Sequence, residues 1–541
     1  MEGFLSWWRE EQGPFQEKRY VTLWKALLLA ALPLACCLVH CALQGRRLGE
    51  VYLPASPWND ELFYYKQVEG MVEYGYPLGY FGFNESHALK LSFAAWSPVL
   101  VFPWVIWGLA FGWNLMSPIV CNIVLMTIGC FLFVWLTRPT WRQLCVLACL
   151  FSAYTPFVRY MLSGMPEVIC FGMVIVFYGL AISYRRQERV HKLVWLFVLG
   201  GGMTWMRPYL AVFLLLPVYF WIRRNGWRAL AGSAAVLAGV MGIYAGIKHF
   251  LGAEYFAPLF FTDWVEAFFE QGIVGGIRFT VSKLRFMKAE FLEYTRQGIC
   301  NGVATGAFFA GYLLCMCVLF GQGCKDLWRL RRLGRQEEDG HRKAVADQAV
   351  IGIHMLLCFM AMLLALLLMY KLVEGSKHLL TFMAAAVFVV GVMDTRHFKK
   401  AAVLAIGFVY LYSYKAVEPY DYQVPFAQQE RREAVEEWRE RMGELIVLDR
   451  EDAPDYGNVV IWAYNDWIDG EPVYTPWQLL YGLPKGTGIS CGTPDYVVGH
   501  FDSLKSRYMV MPVGGKIEAL CQEAGYRLLY GDGEMALYEM E

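Results

Sequence analysis

Pro57-Trp58-Asn59-Asp60-Glu61-Leu62-Phe63-Tyr64-Tyr65 sets two adjacent carboxylates among aromatic side chains, a short way past the first long apolar run. That run, 21–43, is long enough to cross a bilayer and carries no convincing small-residue cleavage motif. The acidic pair therefore stands near the start of a polar and aromatic segment, 44–95, that emerges from a first span. Working outward, the composition agrees: 57% of the 541 residues are hydrophobic and 16% aromatic, too apolar for a soluble enzyme of this length. Formal charge is zero, so partners do not follow from net charge, and no nucleic-acid partner is expected. Most cysteines sit inside apolar runs, with no zinc spacing and no disulfide framework. Cys491 and Cys521 lie in a soluble-looking region, either bridged or as two free thiols.

The distribution of Lys and Arg sets the topology. Basic connections (Arg138 with Arg142; Arg185, Arg186, Arg189 and Lys192; Arg223, Arg224 and Arg228; 325–343; Arg396, Lys399 and Lys400) alternate with poorly basic ones near 154–166, 204–208 and 371–377 and with the mixed-charge segment 251–298. By the positive-inside rule the first set is cytoplasmic and the second external. Spans then fall near 21–43, 115–137, 143–159, 166–184, 193–205, 208–222, 229–250, 299–321, 348–370, 378–394 and 401–415, about eleven crossings with the N-terminus inside and the C-terminus outside. The stretch 96–111, broken by Pro98 and Pro103, reads as re-entrant or interfacial, and 193–222 reads as two short helices or one bent one. Within 251–298, Ile277, Val281, Leu284 and Phe291 recur at helical spacing among Arg278, Lys283, Arg285 and Lys288, the pattern of an amphipathic helix at the outer membrane surface.

Beyond residue 417 charge rises and apolar runs shorten. Helix 428–442, strand 459–463, strand 507–511, helix 516–524 and strands 527–530 and 535–538 are expected, making a small external α/β domain, 418–541, after a transmembrane domain, 1–417. The fold expected is a multi-span α-helical membrane protein with a small C-terminal extracytoplasmic α/β domain.

Four polar groups fall on the external face of this topology: Asp60 with Glu61; Arg159 and Glu167 flanking Met161-Leu162-Ser163-Gly164-Met165-Pro166; Arg207 in Trp205-Met206-Arg207-Pro208-Tyr209; and Lys377-His378 in Glu374-Gly375-Ser376-Lys377-His378-Leu379. Cations there can hold a phosphate while a carboxylate takes a proton from an attacking hydroxyl. Each also has a plainer reading. A carboxylate pair in a wet loop is ordinarily solvated, Arg207 can snorkel to headgroups, Glu167 can be a helix N-terminal acid, and His378 can simply pack at a helix start.

The acidic Asn59-Asp60-Glu61 followed by Tyr64, the later Met165-Pro166-Glu167, the Arg207-Pro208 pair, the 374–379 stretch and the terminal run 506–541 resemble the C-type glycosyltransferase superfamily (GT-C), multi-span enzymes that use lipid-phosphate-linked sugars, among them protein O-mannosyltransferases and aminoarabinose transferases. The resemblance implies a polyprenyl-phosphate sugar donor, an extracytoplasmic glycan, glycolipid or protein acceptor, and inversion at the anomeric carbon, in a bacterial plasma membrane. It implies Asp60 as general base, Glu61 as its support, and Arg207, Lys377, His378 and Arg159 around the donor phosphate. Where members often carry Arg before the late His, this chain has Lys377, a point charge instead of a bidentate fork. Glu167 belongs to a second acidic motif, which in some members binds a divalent cation with the first; no compact ligand set is visible, and a metal-independent reaction is expected. A transporter or flippase for lipid-linked sugars is the alternative, against which stand the absence of internal repeats and the loop position of the acidic pair. A non-catalytic envelope scaffold or sensor is a third.

Overall fold

A computed structural model describes residues 18–55, 59–75, 81–85, 97–154, 156–251, 261–300, 328, 339–369, 372–392, 429–448 and 456–540. The expected spans 299–321 and 401–415 lie wholly or largely outside these residues. Helices α1 (Arg19–Leu43), α2 (Asp60–Tyr74), α3 (Phe102–Phe111), α4 (Ser117–Thr137), α5 (Trp141–Ala153), α6 (Pro156–Met161), α7 (Glu167–Arg186) and α8 (Val190–Met206) lead to a 3-10 turn, Pro208–Leu214. There follow α9 (Leu215–Asn225), α10 (Ala229–Leu251), α11 (Asp263–Glu270), α12 (Gly272–Cys300), α13 (Asp339–Met369), α14 (Leu372–Gly391) and α15 (Gln429–Leu445).

Among the described residues five helical segments are long and apolar enough to cross a membrane: Arg19–Leu43, Ser117–Thr137, Glu167–Arg186, Pro208–Leu251 and Val350–Met369. Pro98–Phe111, Trp141–Ser152 and His378–Val389 are apolar but shorter. The expected span 143–159 is not continuous. Pro156 lacks the N–H a helix interior needs, so α5 stops at Ala153 and a separate short α6 begins at Pro156. The 193–222 stretch resolves as α8, the 3-10 turn and the start of α9: α8 ends where Arg207 turns extended (φ −143°, ψ 116°), and Pro208 starts the 3-10 turn. The 374–379 stretch, expected as the loop before a span, is the opening of α14.

One end of the bundle is closed by cations. Lys25 Nζ, buried in α1, donates to Pro139 O at 2.9 Å and sits 5.0 Å over the Trp141 ring; Arg186 donates to Thr137 O, and Lys192 to Ser183 O at 3.1 Å. Thr137 O ends α4 and Pro139 O lies just past it, Ser183 O near the end of α7 also accepts the Gln187 N–H at 3.1 Å, and the dipole favours a cation at both helix ends. Thr140 and Gln143 form a capping box that starts α5, and Gln143 Nε2 also donates to Val392 O at 2.8 Å, tying α5 to α14.

The second body is a six-stranded sheet of β1 (Phe81–Phe83), β2 (Val459–Ala463), β5 (Gly488–Gly492), β6 (Tyr508–Pro512), β7 (Arg527–Gly531) and β8 (Met535–Glu539), in spatial order β1-β5-β2-β6-β8-β7, with a separate ribbon β3 (Asn465–Ile468)–β4 (Glu471–Tyr474). The β1, β5, β2 and β6 strands are parallel and β8 and β7 antiparallel. Both faces are covered, so β2, β5, β6 and β8 are buried at every residue. Ile461, Met509, Met511 and Tyr538 pack toward α17 (Lys516–Glu523) and α16 (Pro494–Gly499), while Val460, Trp462 and Val510 join the larger core shared with the bundle. Cys491 and Cys521 are free thiols, on β5 and α17. The edge strand β1 comes from the segment after α2, so this sheet is not built from C-terminal residues alone.

Candidate functional site

Asp60 and Glu61 do not lie in a solvated loop. They form the first turn of α2, where the helix dipole favours acids. Asp60 is half-buried, and Glu61 is fully buried. Glu61 Oε1 accepts the Gly164 N–H at 2.7 Å and Oε2 the Ala55 N–H at 3.1 Å, so its carboxylate ties α2 to the turn before α7. Gly164 permits that approach: a Cβ there would stand 2.9 Å from Leu53 Cδ1 and 3.2 Å from Glu61 Cβ. The same turn is braced from α4, where Asn122 Nδ2 donates to Tyr160 O at 3.2 Å and Ser163 O at 3.0 Å while its Oδ1 accepts the Trp104 indole at 2.9 Å.

Pro166 then starts α7, and Glu167 sits in its first turn with 0% exposure. Arg207, also fully buried, donates through Nη2 to Glu167 Oε1 at 2.7 Å. Its Nη1 lies 3.1 Å from the Tyr209 hydroxyl and 3.2 Å from His378 Nδ1, and the Tyr209 hydroxyl is 3.1 Å from the same nitrogen. Guanidinium has donors only, so Nδ1 is an acceptor and the His378 proton resides on Nε2. Glu167 Oε2 is buried and, among the described residues, without a hydrogen-bond partner.

Two tyrosines join this cluster to Asp60. Tyr64, one turn along α2, hydrogen-bonds Arg207 and feels the charges of Asp60 and Glu167; burial pushes its phenol well above the ordinary value, which keeps it a donor. Tyr160 on α6 lies within the fields of Glu167, Arg159, Arg207 and Asp60.

Of the residues expected at the site, Glu167, Arg207 and His378 are therefore in direct contact, Asp60 is next to them across Tyr64 and Tyr160, and Arg159 is half-buried beside Tyr160. The Lys377 side chain lies outside the described residues. Tyr64 and Tyr209 stand in the sequence motifs without a role of their own, and Tyr160 and Asn122 stand in none; a polar group inside an apolar helix is the signal that points to Asn122.

Among the described residues no group of three His, Cys, Asp or Glu side chains could hold a metal ion. The donor chemistry agrees: Glu167 is already neutralised by a guanidinium, which would repel a divalent cation. These residues do not fit a resident metal.

No protein family's sequence profile matches the chain, and no curated protein matches it. Among solved structures it is similar to ArnT from Cupriavidus metallidurans bound to undecaprenyl phosphate and to ArnT from the same organism in the apo state. Each is 13% identical, with 95% of this chain and 97% of that chain covered, at a TM-score of 0.42.

Proposed function

We propose that the protein is a membrane glycosyltransferase that moves a sugar from a polyprenyl-phosphate carrier to a hydroxyl acceptor, a glycan, glycolipid or protein, outside the membrane. The observation that carries this reading is the convergence of Asp60, Glu167, Arg207 and His378 at one end of apolar helices, although roughly 300 residues separate the first from the last. A transfer of this kind needs a base for the acceptor and donors for the departing phosphate, with lipid close by.

Asp60, the half-exposed carboxylate, takes the proton of the acceptor hydroxyl. The acceptor oxygen forms its bond to the anomeric carbon as the bond from that carbon to the phosphate oxygen breaks, and the electron pair leaves with the polyprenyl phosphate. Direct displacement inverts the carbon, and no covalent sugar–enzyme bond forms. His378, through its Nε2–H, and Tyr64 supply donors toward the phosphate, together with Arg159 and Lys377. Arg207 orients them while holding Glu167, whose open Oε2 is a place for a sugar hydroxyl. Glu61 fixes the start of α2 and so the aim of Asp60.

The test incubates the purified protein with radiolabelled polyprenyl-phosphate hexoses and membrane extract, comparing wild type with Asp60→Asn. The variant is expected to lose about 10²-fold or more in turnover, the range for a general base. Equal turnover by both would remove Asp60 from the role, and donor left untouched by either would favour transport of lipid-linked sugars.

A further inference from the structure

The α/β unit follows α2 from Tyr65 to Tyr74. Near the start of the helix the Tyr65 ring lies between Trp113 and Tyr481, at 5.5 Å from each, and Lys66 Nζ donates to Leu483 O at 2.9 Å while pairing with Glu69 at 2.8 Å. At its end Lys485 pairs with Glu73 at 2.8 Å. Beyond it, β1 adds to the edge of β5, pairing Phe81 with Ile489 and Phe83 with Cys491.

The segment is then locked by two residues in the left-handed region, Asn84 (φ 50°) and Glu85 (φ 56°). Such backbone persists in non-glycine residues only where its surroundings over-determine it. Here the Asn84 N–H donates to Cys491 O at 2.9 Å, its Oδ1 accepts the Thr493 N–H at 3.0 Å, and the Glu85 N–H donates to Ser490 Oγ at 2.8 Å. The Glu85 carboxylate is buried, and its Oε1 accepts the Lys505 N–H at 2.9 Å and both the N–H and the hydroxyl of Ser506 at 2.7 Å. Hydrogen bonds to an ionised acceptor are roughly twice as strong as neutral ones, and three converge on one oxygen.

We propose that Glu85 is a positioning residue: it clamps the segment after α2 to the sheet, and the α/β unit thereby sets where Asp60, in the first turn of that helix, points. This rests on Asp60 as the base. The base is on α2, held from one side by Glu61 at Gly164 and from the other by residues 481–506, whereas Arg207 and His378 belong to the bundle itself. Loosening the clamp moves α2, and with it Asp60 and Tyr64, while Arg207 and His378 stay with the bundle, so kcat falls by more than donor KM rises.

The experiment uses the full chain in detergent with polyprenyl-phosphate hexose as donor, following steady-state transfer and amide hydrogen exchange in Glu85→Ala, Glu85→Gln and Ser506→Ala. Glu85→Ala is expected to lower kcat about tenfold to a hundredfold, as a displaced catalytic group does, with donor KM rising by less than kcat falls. Glu85→Gln keeps an acceptor oxygen and recovers most of the rate. Exchange over 60–85 accelerates in Glu85→Ala while exchange over 167–206 does not change. Should Glu85→Ala fail to fold, Ser506→Ala, which removes one of the three donors, carries the same expectations in smaller measure. Unchanged kcat and unchanged exchange over 60–85 overturn the proposal, as does a rise in donor KM at constant kcat. If the wild type transfers no sugar, the glycosyltransferase reading has failed by itself, and the exchange over 60–85 alone decides the clamp: faster supports it, unchanged refutes it.

Discussion

Glu167 and Arg207 are both at 0% side-chain exposure and 2.7 Å apart, and such a pair obeys an asymmetric rule. Desolvation of the two charges roughly offsets their attraction, so the pair adds little net stability, but stranding one of them costs about 3–5 kcal/mol. Arg207→Met is therefore expected to lower the thermal unfolding temperature in detergent sharply. The double variant Glu167→Gln/Arg207→Met should regain most of that loss while remaining inactive in transfer; a double variant as unstable as the single would show that packing, and not the stranded carboxylate, sets the cost. These charges were legible in sequence because each stands inside or beside an apolar run. Their pairing was not, since nothing in the spacing of residues 167, 207 and 378 says which faces which. Arg207 read as a phosphate ligand, and its Nη2 donates to Glu167. The roles of the tyrosines escaped for a different reason: although Tyr64 and Tyr209 stand in the motifs, three site residues among 32 tyrosines leave no pattern of their own.

The apolar helices were legible as elements because length and hydropathy are one-dimensional properties, and α1, α4, α7, α8 and α10 begin and end close to where the pattern places them. The acidic pair read as part of a loop because α2 has no clean stripe: it buries Lys66 and Glu69 on the same face as Leu62, with Tyr65 and Val68 beside them, wedged between bundle and sheet. The β1 and β5 strands escaped because one is three residues long and the other is bounded by glycines. How α15 meets this wedge turns on Gly482. A Cβ at 482 would stand 2.3 Å from Arg439 Cα, a backbone atom that cannot swing aside, and Arg439 in turn lies 5.4 Å over the Tyr481 ring that packs on α2. Gly482→Ala is expected to push α15 off the 477–482 turn, at about 1–3 kcal/mol of overpacking cost, and limited proteolysis should then cut within 429–445 faster. Gly499→Ala is the control, since a Cβ there meets nothing within 4 Å. Equal cleavage of both variants would mean that α15 does not depend on this contact.

The molecule has two chemically different ends. Glu167 opens α7 and Arg186 closes it, so the 20 residues between cover about 30 Å at 1.5 Å per residue, the thickness of a hydrocarbon core. At the Arg186 end Arg186 and Lys192 donate to helix carbonyls and Lys25 to Pro139 O just past α4; at the Glu167 end lie Asp60, Arg207 and His378. Arg186 and Lys192, from one of the basic connections that set the topology in sequence, are thus tied into the bundle by hydrogen bonds, so their charge bias and their capping role point the same way. From the bias we propose an orientation, with the basic end in the cytoplasm and the site and the sheet outside. Trp467 on β3 and Arg224 at the end of α9 are both exposed, on the sheet and at the basic end respectively. A membrane-impermeant maleimide applied to intact cells is expected to label Trp467→Cys at once and Arg224→Cys only after permeabilisation, each measured above the signal of the parent protein, whose Cys145 and Cys149 are themselves exposed. Labelling in the reverse order would place the acidic cluster in the cytoplasm, where the acceptor hydroxyl and the sugar donor would have to be sought instead.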